Sequence, residues 1–98
     1  MNRERAFGEL SSHAAEIRGH GAKALNLFGS TSRDAATAAS DVDLFIDYDP
    51  GVRFNAFDLL DIKSLIERRL GAPVDLTTRN GLHPRLREKI ERHAIQVF

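Results

Sequence analysis

The sequence predicts an α/β (α+β) fold, a small mixed β-sheet with helices packed on it, in the order α-β-α-β-α-β-α. Two observations carry this. Three short apolar segments read as strands, and two of them alternate apolar with polar residues at the period of a half-buried strand. Around and between them, apolar residues recur every three or four positions, the period of amphipathic helices. Strands separated by helices argue for helices layered on a sheet. The 98 residues have room for one domain, spanning 1–98. A chain of this size buries roughly two-thirds of its unfolded surface, enough for one modest core.

Phe7, Leu10, Ala14 and Ile17 share a helical stripe, so residues 2–18 are expected to form a helix that Gly19 and Gly21 end. Residues 24–28 (ALNLF) read as the first strand. Gly29 and Ser30 follow, and the Ala-rich stretch 31–39, opened by hydroxyl residues, is expected to form a short helix. The second strand is Val42 to Tyr48, with Val42, Leu44, Ile46 and Tyr48 alternating against Asp43, Phe45 and Asp47. Pro50-Gly51 breaks it. Asn55 with Asp58 three residues on resembles a capping box. Leu59, Ile62, Ile66 and Leu70 then form a stripe that Gly71 terminates, and Phe54 and Phe57 at its start are expected to pack in the core. Val74 to Thr78 is the third strand, and Asn80-Gly81 turns the chain. Pro84 suits the first position of a last helix, 84–93, with Leu86 and Ile90 on its apolar side. Ile95, Val97 and Phe98 add packing or a short strand.

Composition excludes several classes. Lys plus Arg and Asp plus Glu are 14 each, so broad attraction to nucleic acid or to an anionic membrane is not expected. Arg supplies 11 of the 14 cations, which favours forked pairing with carboxylate or phosphate. The absence of Cys removes disulfides, a thiol nucleophile and thiolate zinc sites. Glu4, Glu9 and Glu16 interrupt the N-terminus, and no apolar run approaches the ~20 residues of a membrane span, so a cytoplasmic location is expected. His13, His20, His83 and His93 lack the i, i+4 spacing of a helical metal pair and read as surface residues.

The acids are more informative. Strand alternation puts Asp41, Asp43, Asp47 and Asp49 on one face. Asp41 and Asp43 lie ~7 Å apart along a strand and can lean onto a shared cation, whereas Asp47 is ~13 Å from Asp43 and cannot. Asp47 and Asp49 therefore read as solvated strand-end acids. Asp41 and Asp43 read either as solvated too, Asp41 capping a turn, or as cation ligands, since Asp is depleted in strands. Gly29-Ser30, where a strand meets a helix, reads either as an ordinary cap or as a phosphate-binding turn. Neither a P-loop nor a dinucleotide fingerprint is present.

The segment LFGSTSRDAATAASDVDLFID, residues 27–47, resembles the nucleotidyltransferase superfamily of DNA polymerase β. The shared pattern is Gly29-Ser30, ten residues, then Asp41-Val42-Asp43 entering an apolar strand. Asp75 in PVDLTT matches the family's third acid, and LREKIERHAIQVF extends the likeness to nearly the whole chain. The short length is similar to that of the minimal nucleotidyltransferases, which pair with small helical HEPN toxins. The resemblance implies a polymerase β-like nucleotidyltransferase fold, ATP as co-substrate, two Mg²⁺ ions and transfer of AMP to a hydroxyl, typically tyrosine, of the HEPN partner in a hetero-oligomer. It implies Asp41, Asp43 and Asp75 as catalytic metal ligands and Gly29, Ser30 and Arg33 as nucleotide-binding residues. Asp34 departs from the family, which commonly has Gly there, and adds negative charge near the expected triphosphate. An antitoxin that neutralises its partner by binding alone is the alternative.

One site built from these residues dictates a topology. Gly29-Ser30 ends the first strand and Asp41 and Asp43 begin the second, so those two strands must be antiparallel. Asp75 begins the third, so strands two and three must be parallel neighbours joined by a right-handed helical crossover. Val42, Leu44, Ile46, Val74 and Leu76 would then pack on the helices while the acids face a cleft.

Overall fold

A computed structural model describes residues 1–29 and 41–98. The elements are α1 (Arg3–Ser12), α2 (Ala14–Gly19), β1 (Ala22–Phe28), β2 (Val42–Tyr48), α3 (Ala56–Leu70), β3 (Val74–Thr78), a 3₁₀ turn (Arg79–Gly81), α4 (Arg87–His93) and β4 (Ile95–Gln96). The expected short helix at 31–39 lies outside the described residues.

The strands form one mixed sheet in the order β3-β2-β1-β4. β1 is antiparallel to β2 and to β4, and β2 is parallel to β3, as a single site requires. α3 supplies the crossover between the parallel strands. Its start is fixed by a reciprocal cap: Asn55 Oδ1 accepts from the Phe57 and Asp58 amides at 2.8 and 3.2 Å, and Asp58 Oδ2 accepts from the Asn55 amide at 2.9 Å. Its end is Gly71 in the left-handed region, φ +66°. Glu67 Oε2 then accepts from the Val74 amide at 3.0 Å and leads the chain into β3.

One face of the sheet carries the core. Leu25, Leu27, Val42, Leu44, Ile46, Val74 and Leu76 pack with Ala6, Leu10 and Ile17 of the first two helices and Ile62, Leu65, Ile66 and Leu70 of α3. This is the burial the strand alternation demands.

Four expectations are corrected. The N-terminal helix breaks at His13, and Ala6 rather than Phe7 fills the core from its first half, leaving Phe7 exposed. β1 begins at Ala22, two residues early, because it continues pairing with β2 past an irregularity between Ala22 and Ala24. The last helix begins at Arg87 because residues 83–86 form a separate turn, with His83 O accepting from the Leu86 and Arg87 amides at 2.9 Å. Phe57 is 76% exposed. At 100° per residue it stands roughly 140° around α3 from Ile62, away from the sheet. Phe54 does pack against the core and stacks on Tyr48 at 4.6 Å. Among the described residues no helix is long and apolar enough to cross a membrane.

Candidate active site

The second face of the sheet holds the candidate residues. Its rows follow from register: Phe28 beside Asp43 beside Asp75, then Asn26 beside Phe45 beside Thr77. Asp43 and Asp75 are thus direct cross-strand partners, about 5 Å apart at the backbone. Asp41 precedes β2 by one residue, and alternation puts it on the same side. Asp41 and Asp75 are exposed and Asp43 is half-buried.

Gly29 follows directly on β1, with φ +72°. The Asp43 carboxyl group occupies the space a side chain would need there: a Cβ at Gly29 would stand 3.0 Å from Asp43 Cγ and closer still to Oδ2. Glycine is therefore required twice, by backbone conformation and by the acid beside it. The structure brings Gly29, Asp41, Asp43 and Asp75 to one end of one face. Ser30, Arg33 and Asp34 lie outside the described residues.

The electrostatics fit a site that takes a cation. Burial holds the Asp43 carboxyl above the usual Asp range, and the charges of Asp75 and Asp41 push it further the same way. The donors are all hard carboxylate oxygens, the set that suits Mg²⁺. Among the described residues, however, no three such side chains converge closely enough to hold one ion. Asp43 turns toward Gly29 while Asp41 and Asp75 stand in solvent, as mutual repulsion favours. The donor set suits a divalent cation, and the side chains do not close around a single point.

The lower half of this face departs from the sequence reading. Asp47 is not a solvated strand-end acid. Arg79 grips it with two hydrogen bonds, Nε to Oδ1 at 2.8 Å and Nη2 to Oδ2 at 2.9 Å. Those bonds hold the Asp47 carboxyl below its usual range. The same guanidinium lies 4.9 Å from the centre of the Phe45 ring and 3.4 Å from Glu91 of α4. Phe45 is 1% exposed and Asn26 6%, so this half is covered where the upper half is open. The Asn26 Nδ2 has no hydrogen-bond partner among the described residues. Asp49 does read correctly: it is exposed and accepts from the Gly51 amide at 2.8 Å in the turn. Within α4, Arg87 meets Glu91 at 2.6 Å and Arg92 meets Glu88 at 3.0 Å, both at the i, i+4 spacing of helical ion pairs.

A mixed sheet with three acids in and just ahead of two parallel strands, beside a glycine turn, is the architecture of a nucleotidyltransferase. Residues 10–97 match the family described as the nucleotidyltransferase domain. A relative in Methanocaldococcus jannaschii named "Putative protein adenylyltransferase" is 35% identical over 79 residues, covering 81% of this chain and 83% of its own. A solved structure described as a "putative minimal nucleotidyltransferase" is 34% identical with a TM-score of 0.82, covering 97% and 95% of the two chains. The chain belongs to the nucleotidyltransferase domain family, among its minimal members, and is a nucleotidyltransferase. A third comparison shares the fold at 15% identity and TM-score 0.66, covering 94% of this chain and 71% of the other. It is a complex of a tri-AMPylated HEPN toxin of Shewanella oneidensis with an MNT antitoxin.

Proposed function

We propose that this protein transfers AMP from ATP to a hydroxyl of a small helical HEPN-type toxin, and so acts as the antitoxin of a pair. The observation that carries the reading is the register Asp43↔Asp75 beside Gly29, with the glycine turn and the carboxylates at one end of an open face. Similarity to a named adenylyltransferase, and shared fold with a toxin-bound antitoxin, support the donor and the partner.

Asp41, Asp43 and Asp75 would hold Mg²⁺, which when bound supplies charge stabilisation for the entering and leaving oxygens at phosphorus. The chain's own residues do the rest. The Gly29 turn, with Ser30 and Arg33, seats the β- and γ-phosphates. The acceptor oxygen, tyrosine in this reading, approaches the α-phosphorus in line. Its bond to phosphorus forms as the bond to the bridging oxygen breaks, and pyrophosphate departs. Asp75, the most exposed of the strand acids on this face, accepts the hydroxyl proton.

Incubating the chain with its partner, Mg²⁺ and ATP should add AMP-sized increments to the partner's intact mass. The Asp41→Asn/Asp43→Asn double variant should add none, and undiminished addition would defeat the assignment. The fold shared with a toxin-bound antitoxin also fits a second reading, an antitoxin that works by binding alone. A double variant that still silences the toxin would select it.

A further inference from the structure

We propose that Arg79 is a positioning residue for nucleotidyl transfer: it fixes the aromatic wall against which Asp43 stands and seats α4 across the same face. This role rests on the transferase reading above.

The side chain is fully committed. Its edge makes two bonds to Asp47 at 2.8 and 2.9 Å, a second edge faces Glu91 at 3.4 Å, and its flat face covers Phe45 at 4.9 Å. Only a planar fork can satisfy two carboxylates and a ring together, so Lys cannot replace it. The connection to Asp43 runs through contacts already described. Phe45 follows Asp43 by two residues on the same strand face and is 1% exposed. Its ring meets Phe28 at 5.7 Å, and Phe28 is the cross-strand partner of Asp43. Two rings therefore flank the acid, one along its strand and one across from it, and Arg79 holds the first in place. Asp43 is itself half-buried, which favours one orientation over swinging into solvent.

The same residue seats the last helix. α4 contributes no fully buried side chain, and its C-terminal end is carried by the pairing of β4 with β1. Its own side-chain tie to the turn below is Glu91, shared between Arg87 on the same helix and Arg79. Asp47, Arg79 and Glu91 thus link β2, the 3₁₀ turn and α4 through one guanidinium.

The test compares wild type with Arg79→Met and Arg79→Lys in the full chain, each assayed well below its melting midpoint. Backbone hydrogen exchange in α4 and steady-state AMP transfer are both measured. In R79M, α4 amides should exchange faster, and kcat should fall about tenfold as Asp43 loses its alignment. KM for ATP should stay within about twofold, because the phosphate turn is untouched. R79K should recover only part of kcat, since charge returns without the stacked plane. Faster exchange with unchanged kcat would make Arg79 purely structural, and unchanged exchange would show that it does not seat α4; either overturns the role. A wild-type chain that transfers nothing overturns the transferase reading itself, whereas a transferring wild type matched by R79M overturns this role alone.

Discussion

Asp43 and Asp47 sit four residues apart on one strand face, and their surroundings drive them in opposite directions. Asp43 is raised by burial and by two neighbouring acids, so its ionised form costs the folded state. That cost is present above its folded pKa and disappears as pH falls below the ordinary Asp value. Asp43→Asn in metal-free buffer should therefore raise the melting midpoint at neutral pH while abolishing transfer. The two melting curves should converge in acid, and a midpoint lowered at pH 7 would refute the stated cause. Asp47 is lowered by the Arg79 hydrogen bonds. Its contribution is present above the unfolded value and is lost as pH falls through the depressed folded one. Asp47→Asn should thus be destabilising at pH 7, by no more than about 1 kcal/mol for a partly exposed pair, and less so in acid, as urea midpoints at neutral and acid pH will show. Gly29 completes the residue scale. Gly29→Ala forces a side chain into positive φ and into the Asp43 carboxyl, at a cost of about 1–3 kcal/mol.

At the scale of elements, α3 was the most legible part of the chain, because its signals are local. Asn55, Asp58, the Ile62-Ile66-Leu70 stripe and Gly71 each act within one turn of themselves, and each does what its position implies. Asn55→Ala should remove the reciprocal cap and cost about 1 kcal/mol in urea unfolding. The two central strands were legible for a related reason: alternation alone decides which face is buried, and the requirement for a single site fixed their directions. What could not be read was set at long range or by competition. Arg79 and Asp47 are 32 residues apart and meet only because β2 and β3 run parallel, so Asp47 looked like a free strand-end acid. Phe7 and Ala6 compete for one core position, and the orientation of α1 on the sheet, which no local pattern encodes, gave it to Ala6. The late start of α4 has the same origin. Pro84 is compatible with a first helical turn, but His83 takes the chain through its own turn first, with Nδ1 accepting from the Arg85 amide at 3.2 Å.

For the whole molecule, the arrangement of charge links folding to its proposed cation. Formal charge is zero overall, yet Asp41, Asp43 and Asp75 crowd one end of the sheet while Arg79 and Arg87 neutralise the acids at the other. That acidic end is where a divalent ion gains most by binding the folded chain, since unfolding separates Asp75 from the other two by more than thirty residues of chain. An ion that binds only the folded state adds RT ln(1 + [L]/Kd), about 1.4 kcal/mol at ten times the dissociation constant, or ~6–11 °C for a chain of this size. Wild type should therefore show a saturable rise in melting midpoint with Mg²⁺ at constant ionic strength. Asp43→Asn should lose most of it, because it removes the donor central to the other two. Asp47→Asn, whose acid is committed to Arg79, should keep it in full. The comparison separates site binding from general screening, which would move all three proteins alike. An equal shift in wild type and Asp43→Asn would place the ion elsewhere and leave binding to the toxin, rather than transfer, as the work of this face.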